Sequence, residues 1–189
     1  EEEEGPAGEE EGEEEVSRAW LVCAVALVAC DNAPLKWPVP DGGQSSDAGE
    51  KLRIPNLDGV HVASCTDDTA CGNNATNPPL GGNHCPVWLN CRTFDTAQPR
   101  CNWIHNLEHG HAVLLYHCPN GCPETVQQLR ALRGTRTRTL LTPDPKLPRK
   151  VAAVVWGFGW MGDEYDEAAI LEVLSNQDRE APEAGAGCS

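Results

Sequence analysis

The sequence lacks the features that define two familiar classes of binding protein. It has no paired Cys-x-x-Cys elements, since the nearest approach, Cys118-Pro119-Asn120-Gly121-Cys122, has one residue too many between its cysteines. A zinc ribbon is therefore not predicted, and redox catalysis by this pair is disfavoured. The sequence also has no basic patch, and we expect no nucleic-acid partner. Its densest group of arginines lies on and just after one short amphipathic segment, which we interpret as a solvated helix face: Arg130, Arg133, Arg136 and Arg138.

Negative charge is concentrated at the start of the chain. Ten of the 29 acidic residues are glutamates within residues 1–15, a stretch of Glu, Gly, Ala and Pro only. Such a composition cannot bury apolar surface, so we predict an acidic low-complexity extension there. The remaining chain has the charge of an ordinary acidic domain, and its length suits one domain with a core of its own.

Residues 16–30 are typical of a secretory signal. Arg18 precedes the apolar run Leu21–Ala29, which is too short to cross a bilayer comfortably. Leu27-Val28-Ala29-Cys30 resembles a bacterial lipobox, in which the cysteine is lipidated. We therefore predict a lipoprotein-type signal ending at Cys30, a linker over 31–50, and a periplasmic or outer-surface protein held to the membrane by a lipid anchor. The alternative is a buried hydrophobic helix behind a disordered acidic tail.

The ten cysteines indicate a disulfide framework formed in an oxidising compartment. Proximity in sequence favours the pairs Cys65–Cys71, Cys85–Cys91 and Cys118–Cys122, which would leave Cys101 and Cys188 to pair or stay free. Connectivity is open at this point, because eight mature cysteines allow about 105 pairings.

The richest stretch for chemistry is 103–111, which holds three of the six histidines and a glutamate. His105 and His109 are four residues apart, so a helical turn would place both imidazoles on one face, within reach of one metal ion. Glu108 lies beside them, and a Pro/Gly-rich loop presents His84. We predict a transition-metal site with His84, His105, His109 and Glu108 as ligands, and copper or zinc as the ion.

Two other interpretations of this stretch stay open. His105-x-x-Glu108-His109 matches the inverted zinc-peptidase motif, in which Glu108 would be the general base of a metal-dependent hydrolase. That motif normally lies within a long helix, whereas Gly110 and a strand follow here. The histidines would otherwise cross-link a turn by hydrogen bonds in a structural or interaction module of the cell envelope.

The rest of the pattern predicts an α+β domain over 51–176, disulfide-stabilised, with a small mixed sheet, two or three helices and a tail at 177–189. Val60-His61-Val62 is a short strand candidate, and Gly157–Gly162 is interpreted as a turn. The main elements are strands over His111–Tyr116, Thr137–Thr142 and Val151–Trp156, and helices beginning after Pro123 and at Asp163.

Several motifs resemble a family of exported bacterial proteins known only as a domain of unknown function. The resemblance covers about residues 50–188, and His105-Asn106-Leu107-Glu108-His109-Gly110 is its most specific part. It implies an N-terminal signal or membrane anchor and supports the same candidate residues, but supplies no reaction. The family usually has a small or aliphatic residue where this chain has His111. The other matching motifs are Pro78 to His84, Tyr116, Trp156-Gly157 and Ala181-Pro182-Glu183.

Overall fold

A computed structural model describes residues 49–65 and 68–188. The acidic extension, the signal with Cys30 and nearly all of the linker lie outside these residues. The elements in chain order are β1 (Glu50–Arg53), α1 (Arg100–Glu108), β2 (Ala112–Tyr116), α2 (Pro123–Arg133), β3 (Thr139–Pro143), β4 (Val151–Val155), β5 (Phe158–Gly162) and α3 (Glu167–Leu174).

The five strands form one mixed sheet in the order β1-β5-β4-β2-β3. The β2–β3 pair is parallel and is connected through α2, while the other neighbouring strands are antiparallel. Strand β2 lies between β4 and β3. Its side chains are buried on both faces, because Val113 and Leu115 enter one core while Ala112 and Leu114 enter the other. This explains the unbroken apolar run in its sequence.

Each face of the sheet has its own apolar core. Helix α1 covers one face and buries Trp103, Ile104 and Leu107 together with residues of the long segment between β1 and α1. Helices α2 and α3 cover the other face. The site described below lies on the α1 side, where the covering layer is mostly irregular chain and can carry polar side chains at its surface.

The predicted fold class, an α+β single domain stabilised by disulfides, is confirmed. The predicted strand over His111–Tyr116, the helix after Pro123 and the strand over Val151–Trp156 are present within one residue of their predicted bounds. The helix expected from Asp163 begins later, at Glu167, because the side chain of Asp166 accepts the Ala169 amide as an N-cap.

One predicted element is wrong. The segment Gly157–Gly162, interpreted as a turn, contains β5, which pairs with β1 on one side and β4 on the other. Its large side chains behave as strand residues do, since Met161 enters the α1-side core and Trp160 enters the opposite core. In the sequence, the glycines among these large side chains are typical of a turn, so the alternation of a strand is not apparent.

Four disulfides join Cys65 to Cys85, Cys71 to Cys101, Cys91 to Cys188 and Cys118 to Cys122. Only the last agrees with the pairs that proximity favours; the Cys65–Cys71 and Cys85–Cys91 pairs are wrong. The first three bonds connect parts of the chain that only tertiary packing brings together, which spacing in the sequence does not reveal. So many disulfides are typical of proteins of an oxidising compartment.

The C-terminal segment, residues 177–188, packs against the domain. Asp178 accepts two hydrogen bonds from the Arg138 guanidinium, each 2.6 Å long, and Gln177 donates to the Arg138 carbonyl at 2.8 Å. Cys188 is bonded to Cys91. Within residues 49–65 and 68–188, no helix combines the length and apolar character needed to cross a membrane.

Candidate metal site

Helix α1 supplies the first two polar side chains of the site. His105 and Glu108 lie one turn apart, both buried, with His105 Nε2 3.8 Å from Glu108 Oε2. The helix ends at Glu108, and His109 follows as its C-cap. Burial of these residues follows from the neighbouring Ile104 and Leu107, which anchor the same helix in the core.

Two pieces of irregular chain supply two more histidines. His84 and His61 pair as a parallel bridge, in which the Val62 amide donates to the His84 carbonyl at 2.8 Å and the His84 amide donates to the Val60 carbonyl at 3.1 Å. The bridge places both imidazoles over the last turn of α1. His84 is fully buried, whereas the side chain of His61 is 53% exposed.

His61, His84, His105 and Glu108 form what we call the His/Glu cluster. Their ligand atoms all lie within 4.8 Å of one another. Glu108 Oε2 is at the centre, 2.9 Å from His84 Nε2 and 4.0 Å from His61 Nε2. A tetrahedral ion with bonds of about 2.1 Å would set its ligand atoms about 3.4 Å apart. The cluster therefore needs only small side-chain movements to fit one ion.

The protonation of His84 defines the character of the cluster. Its Nδ1 lies 2.7 Å from the Gly82 carbonyl oxygen, which can only accept, so Nδ1 carries the hydrogen. A neutral His84 then presents a lone pair on Nε2 toward Glu108 Oε2. Within the described residues, neither of these two buried atoms has a hydrogen-bond partner. Two electron-pair donors at 2.9 Å are favourable only with a cation between them or a proton on the ring.

His105 is held in its neutral form. The pKa of His105 is lowered to about 4, mainly by burial and in smaller part by the neighbouring His84 and His109. An imidazole with this pKa is unprotonated at neutral pH, which is the state that binds metals.

The lowered pKa of His105 predicts acid sensitivity of the metal-free protein. An unfolded histidine titrates near its usual value of 6.5, whereas folded His105 titrates at about 4. Between these values the unfolded chain binds a proton that the folded chain does not, so the free energy of unfolding falls as the pH falls, by at most about 1.4 kcal/mol per pH unit from this group. Urea unfolding from pH 7 to pH 4 measures this slope. A His105→Gln variant with an unchanged slope would contradict the assignment.

His109 lies next to the cluster and contacts a different carboxylate. Its Nε2 is 2.9 Å from His105 Nε2 and 3.7 Å from an oxygen of Glu183. The Trp88 ring covers it edge-on, with ring centroids 4.3 Å apart. Glu108, His109 and Glu183 form a second group whose ligand atoms lie within 4.8 Å of one another.

His111 has a structural role. Its Nδ1 is 3.1 Å from the Asn106 amide nitrogen and its Nε2 is 3.0 Å from the Ala186 carbonyl oxygen, so both ring nitrogens are occupied. Burial lowers its pKa, which keeps the ring neutral. His111 thus fastens the C-terminal segment to the start of β2.

The structure brings three of the four predicted ligands, His84, His105 and Glu108, into one cluster. It places His109 beside that cluster, in the group with Glu183. Sequence reasoning missed His61 and Glu183 as members of these groups. The sequence signal at His61 is only that of a strand candidate, and Glu183 belongs to one of the motifs of the family resemblance.

The geometry bears on the role of Glu108. In the hydrolase interpretation, His105 and His109 would hold the ion and Glu108 would activate a water beside it. Here Glu108 Oε2 faces the ring nitrogens of His84, His105 and His61 at 2.9 to 4.0 Å. This arrangement suits a ligand better than a general base.

The chain belongs to the family described as "Protein of unknown function (DUF3105)", whose sequence profile matches residues 69–189. The match includes the motif from His105 to His109 and extends through Glu183. No curated protein and no solved structure matches the chain.

Proposed function

We propose that this protein binds a transition-metal ion through the His/Glu cluster and serves in metal handling, with copper or zinc as the ion. The observation that carries the proposal is the contact between His84 Nε2 and Glu108 Oε2, 2.9 Å apart and buried. The hydrogen bond from His84 Nδ1 to the Gly82 carbonyl directs the lone pair of Nε2 at the carboxylate. A metal ion between the two atoms would satisfy both.

The donor set supports copper or zinc. Three imidazoles and one carboxylate favour borderline ions of the first transition row over calcium or magnesium, which prefer oxygen ligands alone. The lowered pKa of His105 favours binding at neutral pH, since no proton has to leave that ring.

Handling of the ion is favoured over turnover because the cluster offers four protein ligands. Closed four-ligand sites are typical of structural or storage roles, whereas catalytic zinc keeps a position open for water. His61 is the only half-exposed member of the cluster, so we propose that it is the ligand through which the ion enters and leaves.

We further propose that the protein is exported and lipid-anchored in the cell envelope. The lipobox-like sequence ending at Cys30 supports the anchor. The four disulfides support an oxidising compartment, which the periplasm or the outer surface provides.

One experiment tests both proposals. The protein is extracted from washed membranes of its native cells, and bound metal is measured by elemental analysis. We expect about one equivalent or more of copper or zinc, because the cluster provides a complete set of ligands. The His84→Ala/His105→Ala variant should lose this metal. His117→Ala is the matched control, since His117 belongs to no metal-capable group among the described residues.

Two outcomes would contradict the proposals separately. A protein without metal that also takes up no copper or zinc on titration would exclude the metal site. Recovery of the protein in the soluble fraction, with little in the membranes, would exclude the lipid anchor.

A further inference from the structure

The second group of ligands, Glu108, His109 and Glu183, lies immediately beside the His/Glu cluster and shares Glu108 with it. We infer that this group is a second metal position, so that the protein holds two divalent transition-metal ions with Glu108 between them. This inference rests on the proposed function, because the second position shares Glu108 with the first.

The first ion would change the surroundings of His109. In the metal-free protein, His109 Nε2 has His105 Nε2 as its hydrogen-bond partner at 2.9 Å. An ion in the His/Glu cluster occupies the lone pair of His105 Nε2, which can then no longer share a hydrogen with His109. The Glu183 carboxylate lies 3.7 Å from His109 Nε2. Loading the first position therefore frees His109 to bind a second ion.

Glu108 is suited to lie between two ions. It is buried, and its Oε2 has no hydrogen-bond partner in the described residues. The side chains that lie within ion-pair distance of it there are histidines. A carboxylate has two oxygens and about four lone-pair sites, so it can contribute to two ions at once. Its charge, together with that of Glu183, offsets the repulsion between ions that lie about 3.5–4 Å apart in two-metal sites.

The C-terminal segment holds Glu183 in place. The Glu183 amide donates to the Glu108 carbonyl at 3.0 Å, which ties the segment to the end of α1. The Gly185 amide donates to Asp178 at 3.0 Å, and Cys188 is bonded to Cys91. The Glu183 side chain is 63% exposed, so the second position opens to solvent. We expect it to bind its ion more weakly than the buried first position.

The test is a zinc titration of the full chain, with the heat of binding measured by calorimetry. Elemental analysis of the dialysed protein then gives the number of zinc ions bound. The unmutated protein should bind two equivalents in two phases, the second at least about 10-fold weaker. Glu183→Gln should retain the first phase and lose the second. The matched control is Glu180→Gln, which removes a carboxylate of the same segment that pairs with Arg53 and belongs to neither group. Because the Glu183 side chain is mostly exposed, we expect Glu183→Gln to fold with nearly unchanged stability. Thermal unfolding of the variant checks this.

Each outcome decides a different point. Two equivalents falling to one in Glu183→Gln, with Glu180→Gln unchanged, support the inference. One equivalent in all three proteins overturns the second position and leaves the proposed function intact. Two equivalents in all three overturn the role of Glu183. No binding in any of them overturns the proposed function and the second position together.

Discussion

A Gly82→Ala substitution is expected to lower the free energy of unfolding by about 3 kcal/mol, because strain and a steric clash act together. Gly82 has a φ of +105°, which L side chains rarely adopt, and an added Cβ would lie 2.4 Å from the carbonyl carbon and oxygen of Gly72. The clash is with backbone that is fixed by hydrogen bonds between Gly72 and Asn83. The loop that delivers His84 would therefore have to move as a whole.

The matched control for this substitution is Gly121→Ala. Gly121 also has a positive φ, +82°, but no described atom beyond Gly121 and its two chain neighbours lies within 4 Å of its added Cβ. Gly121→Ala should lower the free energy of unfolding by about 1 kcal/mol, which is the cost of a positive φ for an alanine. Urea unfolding of the metal-free proteins measures both values. If both variants lose the same free energy of unfolding, the close approach of the Gly72 backbone to Gly82 does not contribute to the effect.

The same substitution should weaken metal binding. The Gly82 carbonyl accepts the Nδ1 hydrogen of His84 and so orients the ring. Partners of this kind typically change metal affinity by about 10- to 100-fold. Zinc titration of Gly82→Ala should show a loss in this range, whereas Gly121→Ala should bind as the unmutated protein does.

The local parts of the site could be predicted from the sequence. A helical turn places His105 and Glu108 on one side, and the prolines and glycines before His84 indicate a constrained loop. Strands β2 and β4 are buried on both faces, so each appears in the sequence as an unbroken apolar run. Each of these features depends on residues that are close together along the chain.

The contribution of His61 could not be predicted, because it depends on a non-local pairing. The bridge between His61 and His84 joins positions 23 residues apart, and an isolated bridge leaves no periodic pattern. Glu183 is more distant still, in a segment that the bond between Cys91 and Cys188 joins to the domain. Pairing of cysteines is a property of the folded chain, so spacing alone gave two wrong pairs out of three.

Strand β5 shows the same limit for secondary structure. Gly157, Gly159 and Gly162 make the segment resemble a turn, although Trp160 and Met161 enter opposite cores. Its strand character comes from the neighbours β1 and β4, which pair with it along both edges. Tertiary context here overrides local propensity.

Removal of the bond between Cys91 and Cys188, by the double substitution Cys91→Ser/Cys188→Ser, should lower the free energy of unfolding by about 4 kcal/mol. The two cysteines are 97 residues apart, so the bond restricts a large part of the unfolded chain. Cys118→Ser/Cys122→Ser is the control, with a separation of only 4 residues. The chain-entropy model assigns about 4.7 kcal/mol to a loop of 100 residues and about 2 kcal/mol to one of five. Urea unfolding at neutral pH compares the two variants.

Removal of this disulfide should affect the two proposed metal positions differently. Loss of the bond releases the end of the segment that carries Glu183, while the members of the His/Glu cluster lie elsewhere in the chain. The variant should therefore retain the tighter phase of the zinc titration and lose the weaker one, which is also the result expected for Glu183→Gln. A variant that keeps both phases would show that the hydrogen bonds of Asp178 and Glu183 hold the segment without the disulfide. Loss of both phases in a folded variant would show that the segment also supports the first ion.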